Sequence, residues 1–217
     1  MKNKFLFLVL LAPLLSFLLH PILYKRSYAK IERVLVLPPV SRISIISKGS
    51  RQMVDSSLSS KVFYTASKQL QQVFPDSVDH KYFSPDSTQQ QAINNVIVKL
   101  NNKLITYKQI IEYKIPDSIL QLLSVANADF VFCVANTGFV RTKQNFSNSY
   151  VAGTAVTLVL GLPGTPIALE SAISCFVLDL RKRNIIYFER EILYDRDPTD
   201  PEVINLQVTR VVNHCFL

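Results

Sequence analysis

The side chains that could do chemistry are few and scattered. Three histidines (His20, His80, His214), three cysteines (Cys133, Cys175, Cys215) and two acids beside apolar runs (Asp129, Asp179) are of types suited to acid–base, nucleophilic or metal chemistry. A hydrolase built on them would need Asp129, Asp179 and His80 to converge in one pocket. Their local settings give simpler roles: Asp129 is a loop or cap acid ahead of a strand, and Asp179 an acid beside a turn. No serine stands in a Gly-x-Ser-x-Gly elbow. Pro38-Pro39 occupy the place after the first strand where a phosphate loop or dinucleotide fingerprint would carry glycines. No histidine or acid lies at metal-ligand spacing from a cysteine. An odd cysteine count leaves at least one thiol unpaired, and Cys133 and Cys175 fall inside apolar runs as buried thiols. The expectation is a chain that is not an enzyme and takes no cofactor or metal.

The elements that would hold these residues are organised around Arg33-Val34-Leu35-Val36-Leu37-Pro38-Pro39. Consecutive apolar residues stopped by prolines read as a strand buried on both faces. Phe130 to Ala135 is a second run of the same kind, delivered by a helix and so expected parallel to the first. Between them, Ser41 to Ser50 reads as a connection. From Arg51, capped by Ser50, one amphipathic helix carries Val54, Leu58, Val62, Ala66, Leu70 and Val73. Val78 to Phe83 is a short strand. Ser84-Pro85-Asp86 starts a second helix that Asn101-Asn102-Lys103 ends, and Ile115-Pro116-Asp117 starts a third. Leu104 to Lys114 has no clean period. Ser171 to Leu180 and Ile185 to Tyr194 form a hairpin with Asn184 available for a left-handed position, and Asp200-Pro201-Glu202 opens a closing helix. The fold class is α/β, mixed: a central mixed sheet with parallel crossovers first, an antiparallel hairpin later, and helices packed on it.

The chain of 217 residues is 48% hydrophobic and 18% charged, enough for one domain with a real core plus a leader. Residues 1–29 read as a signal peptide: Lys2 and Lys4, an apolar stretch from Phe5 to Leu19, and small residues Ser27 and Ala29 at the −3 and −1 positions of a cleavage site. The alternative is an uncleaved anchor, because Ile22-Leu23-Tyr24 resumes the apolar stretch. No cysteine near its end permits lipidation there. Of the net charge of +8, four positive charges (Lys2, Lys4, Lys25, Arg26) lie in this acid-free leader, so 8 − 4 leaves +4 for residues 30–217. That balance, with only the short Arg181-Lys182-Arg183 cluster, argues against nucleic acid as a partner.

One segment departs from an ordinary domain. Residues 144–169 carry no charge, and 151–169 are apolar and Thr-rich, with Gly161, Pro163, Gly164 and Pro166 breaking any continuous membrane helix. The expectation is an uncharged hairpin or loop packed on the domain or on a neighbouring subunit. Contact of 151–169 with lipid, as a membrane strand of about 10 residues, is the alternative. Candidate interaction residues are Val151, Val156, Leu158, Leu160 and Leu162 on this segment, and Arg181, Lys182 and Arg183 at the basic turn.

The run Arg33 to Pro39, the long helix, Ala128-Asp129-Phe130-Val131-Phe132 opening a strand, and Val177-Leu178-Asp179-Leu180 followed by a turn and Ile185-Ile186-Tyr187-Phe188 together resemble bacterial envelope accessory proteins. The group includes the curli-secretion pore subunit, the lipoprotein activator of penicillin-binding proteins, and the amino-terminal domain of TolB. The resemblance runs from residue 31 onward. It implies a non-enzymatic, exported protein, periplasmic or membrane-associated, that binds other envelope proteins, with a homo-oligomer as a further partner. An oligomeric, membrane-inserted secretion or pore subunit using 151–169 is the alternative it implies. The lipidation cysteine of many members is missing, and Asn184 and Tyr187-Phe188 stand where members often carry glycine and tryptophan.

Overall fold

A computed structural model of the chain describes residues 22–25, 31, 33–47, 51–107, 115–124, 128–160 and 166–216. Among these, eight strands form one mixed sheet: β1 (Ile22–Lys25), β2 (Arg33–Val36), β3 (Val40–Ile46), β4 (Gln52–Val54), β5 (Asp79–Tyr82), β6 (Phe130–Arg141), β7 (Leu169–Asp179) and β8 (Asn184–Tyr194). Five helices accompany it: α1 (Ser56–Val73), α2 (Ser87–Tyr107), α3 (Asp117–Ser124), α4 (Lys143–Leu160) and α5 (Pro201–Phe216).

The two apolar runs lie side by side and parallel, Val34 opposite Phe130 and Val36 opposite Phe132. Both are buried on both faces. Val34, Val36, Phe132 and Val134 pack against α1 and α5, while Leu35, Val131 and Cys133 pack against α2 and α3. Each fully buried side chain of this size contributes about 1.5–3 kcal/mol relative to exposure, which makes this pair the centre of the three-layer α/β/α arrangement. β6 has twelve residues, longer than the run that signals it, because it pairs in succession with β2 and then β3 on one side and with β7 along the other. Pro38-Pro39 interrupt β2 and β3, which otherwise follow one another along β6; Leu37 N–H closes the first stretch on Phe132 O at 3.0 Å. β7 and β8 form the antiparallel hairpin.

Several boundaries differ from the sequence reading, each for a local reason. The expected connection at 41–50 contains most of β3, because Ile43 and Ile46, on opposite faces of the strand, are both buried and the backbone pairs with β6. The first long helix begins at Ser56 rather than Arg51, since Gln52, Met53 and Val54 pair antiparallel with β3. Asp55, not Ser50, is its cap and accepts from Leu58 N–H at 2.8 Å. Asp55→Ala is expected to lower stability by about 1 kcal/mol, seen as a lower urea midpoint at unchanged slope. Helix α2 is capped by Asp86 with Gln89 in a reciprocal box, Gln89 N–H to Asp86 Oδ1 at 2.8 Å and Asp86 N–H to Gln89 Oε1 at 3.1 Å. It runs through Asn101-Asn102-Lys103 to Tyr107 because Leu100 and Leu104 continue the buried stripe of Ile93 and Ile97. In the β7–β8 turn Arg183, not Asn184, holds the left-handed conformation, with φ 56°, since Asn184 is already paired opposite Asp179.

Two larger differences bear on function. The uncharged segment 144–169, expected as a hairpin or loop, is helical over most of its length: Lys143–Leu160 forms α4. Thr142 Oγ1 receives Asn145 N–H at its start, and no proline or glycine pair interrupts the chain before Gly161. Inside the expected leader, Ile22–Lys25 pairs antiparallel with β8, Tyr24 opposite Phe188, as an edge strand of the sheet. The remaining leader residues, 1–21 and 26–29, lie outside the described residues. No helix among the described residues is long and apolar enough to cross a membrane.

Candidate ligand cavity and interaction surfaces

The residues first considered for catalysis do not converge. His80 stands opposite Val34, Val34 opposite Phe130, and Phe130 opposite Asp179. That places His80 and Asp179 three strand spacings apart, about 14 Å. His80 stacks on Phe74 with ring centroids 4.9 Å apart, and its Nδ1 lies 2.9 Å from Val78 O. Asp129 receives Arg181 Nε and Nη2, both at 2.6 Å, in a two-pronged pair. Asp179 is buried and accepts Lys182 N–H at 2.8 Å, which ties down the turn. The three cysteines are buried, and none forms a disulfide among the described residues. Burial pushes the Cys133 and Cys175 thiols up, with the Cys215 and Glu189 charges adding to the effect on Cys175, so both stay protonated and poorly nucleophilic.

At the basic turn each cation faces an acid of the same chain: Arg181 faces Asp129, Lys182 lies 4.0 Å from Asp179, and Arg183 is 3.0 Å from Asp117 on α3. All three side chains are exposed, and such pairs hold the turn to its neighbours for little net stability. On α4, Asn145 is buried and anchors the first turn, giving its Nδ2 to Ser47 O at 2.8 Å and accepting Arg141 Nη1 at 2.7 Å. One turn and a half later the helix is open to solvent: Tyr150 is half exposed and Val151 is 69% exposed. Val156, Leu158 and Leu160 lie further along α4; Leu162 lies outside the described residues.

A buried acid cluster joins the sheet to α5. Glu189 accepts Tyr187 Oη at 2.6 Å and lies 2.7 Å from His214 Nδ1. Burial above all, with the hydrogen bond to Glu189 and its charge, pushes the Tyr187 hydroxyl up, so it remains a donor. Ser171 and Gln207 make a second buried polar link between β7 and α5.

The sheet face under α2 holds a cavity of about 480 Å³ that no sequence motif announced. Cross-strand rows explain it. The row Val40, Ala135, Ser174, Arg190 is followed by Arg42, Thr137, Ala172, Ile192 and then by Ser44, Phe139, Glu170, Tyr194. The small side chains Ala135 and Thr137 line the cavity on β6, so the floor is low where a packed core would place bulk. Long polar side chains stand around it, and α2 supplies Asn101 as part of the wall. Arg190 Nη2 lies 4.0 Å from Glu170 Oε1, a loose pair. Burial pushes Glu170 above the usual carboxylate range against the opposing pull of Arg190, and burial lowers Arg190 in turn. Asn101 Oδ1 and Arg190 Nε have no hydrogen-bond partner among the described residues.

Glu170 therefore titrates above its unfolded value: its contribution to stability is complete below about pH 4 and is lost as pH rises through the raised value. The difference in melting temperature between wild type and Glu170→Gln is expected to shift in favour of the variant on crossing that acidic window; a difference independent of pH would contradict it.

No protein-family model matches the chain, and no curated protein matches it in sequence. Among solved structures it is similar to the PelC dodecamer from Paraburkholderia phytofirmans, at 8% identity and a TM-score of 0.37 over 88% of this chain and 91% of that one. It is similar to the hypothetical protein CT253 from Chlamydia trachomatis, at 10% identity and a TM-score of 0.36 over 84% and 94%. The LpoB C-terminal domain from Salmonella enterica is also similar, at 8% identity and a TM-score of 0.29 over 83% and 93% of the two chains.

Proposed function

We propose that this chain is a non-enzymatic, exported accessory protein of a bacterial envelope that acts by binding other envelope components, with α4 as its principal contact surface. The observation that carries the reading is the placement of the uncharged segment. It forms a helix fixed at its first turn by buried Asn145, and by Tyr150 and Val151 that helix presents large side chains to solvent. A helix without charge beyond Lys143 gains most when its surface is covered by a partner, because apolar area is then removed from water. The structural employment of His80, Asp129 and Asp179 supports a binding role over a hydrolytic one. The basic turn is a secondary surface, since its three cations are already engaged with acids of the chain. Insertion of 151–160 into a membrane as a β-strand would require α4 to unwind, which favours protein over lipid as the partner.

Export is tested by expressing the tagged full chain in a Gram-negative host and exposing intact cells, spheroplasts and lysate to protease. The expected result is protection in intact cells and digestion in spheroplasts. Digestion only after lysis would refute the assignment.

A further inference from the structure

We propose that the cavity between α2 and the β3-β6-β7-β8 face binds a small soluble anion that also carries hydroxyl groups, such as a sugar acid or the phosphate ester of a polyol. The inference is independent of where the protein works and of what α4 contacts.

Three features define the ligand chemistry. First, the lining is unbalanced in charge: Arg42 and Arg190 face it with Glu170 as the only acid. Among the described residues Arg42 makes no ion pair, and the one ion pair of Arg190 is the loose 4.0 Å contact with Glu170. An anion between the guanidinium groups would supply the missing counter-charge, and guanidinium suits planar carboxylate or phosphate oxygens. Second, Asn101 is 2% exposed, lines the cavity, and leaves its carbonyl oxygen without a donor, while Arg190 Nε is a donor without an acceptor. A ligand carrying both an acidic oxygen and a hydroxyl satisfies both atoms. Third, Ala135 and Thr137 keep the floor low and Phe139 adds an apolar side, leaving about 480 Å³, within the usual range of small-molecule sites. In the free protein the Glu170 carboxylate, 4.0 Å from Arg190 Nη2, competes with the ligand for that guanidinium.

The test is calorimetric titration of the full chain at fixed ionic strength with galacturonate, with glycerol 3-phosphate, and with glucose as the neutral control. Saturable binding of at least one anion is expected, with glucose about tenfold weaker or undetectable. Arg42→Gln, at an exposed position on the rim, is expected to weaken anion binding about fivefold without lowering the melting temperature. Glu170→Gln is expected to strengthen it about fivefold by releasing Arg190. The two anions distinguish a carboxylate from a phosphate preference, and either result supports the site. Absence of saturable binding by all three probes would overturn the proposal. So would glucose binding as tightly as the anions, or anion binding that neither substitution moves.

Discussion

Gly138→Ala is expected to destabilise the fold by about 3 kcal/mol, read as a fall in the urea midpoint at constant slope. Gly138 sits opposite Ser171 in the β6–β7 ladder, where the chain runs close under the loop before α5. A methyl carbon at this position would overlap the Glu170 carbonyl oxygen, which is backbone, and approach Pro198 Cβ to 2.9 Å. Backbone in the middle of a ladder cannot rotate away as a side chain can, so the strands must separate or the loop must lift. The same displacement would move Glu170 at the cavity, so binding of the proposed anion should change in parallel with stability. A variant as stable as wild type would show that β6 and β7 are spaced more widely than described.

The second large effect is expected at Glu189. Glu189→Ala removes the acceptor of the buried Tyr187 hydroxyl and the partner of His214, leaving a phenol that is 3% exposed without the acceptor it uses. Leaving a buried donor unsatisfied and opening a void together cost about 3 kcal/mol. Tyr187→Phe, which keeps the ring, is expected to cost about 1 kcal/mol. Because the cluster pins the last turns of α5 to β8, native-state amide exchange in α5 should accelerate more in Glu189→Ala than in Tyr187→Phe. Equal protection in both would show that α5 is held by its apolar face alone.

Most of the layered architecture could be read from residue patterns because its cause is local. Val34 to Leu37 and Phe130 to Ala135 admit only buried positions, and the stripe Val62, Ala66, Leu70 admits only a helix face. What escaped were features created by pairing. The strand at Val40–Ile46 has no clean alternation of apolar and polar residues, and its Ser41, Arg42 and Ser44 look like loop residues until β6 is seen beside them. Gly161, Pro163, Gly164 and Pro166 point to a hairpin or loop over 144–169, yet a run beginning at a Thr142 cap and anchored by Asn145 suffices to start a helix before those breakers. The cavity was illegible for a deeper reason. Arg42, Asn101, Glu170 and Arg190 come from four separate elements, and the low floor between them depends on which small residues fall in register across β6 and β7.

The claim on which the account rests, that α4 is a contact surface for other envelope components, is tested most directly by photo-crosslinking in living cells. A photoreactive residue is placed at Val151 on α4 and, as a control, at Lys61 on the solvent face of α1, and the membrane and periplasmic fractions are resolved by size. Adducts of defined mass from position 151 and none from position 61 are the predicted result. The same yield from both positions, or none from 151, would contradict it.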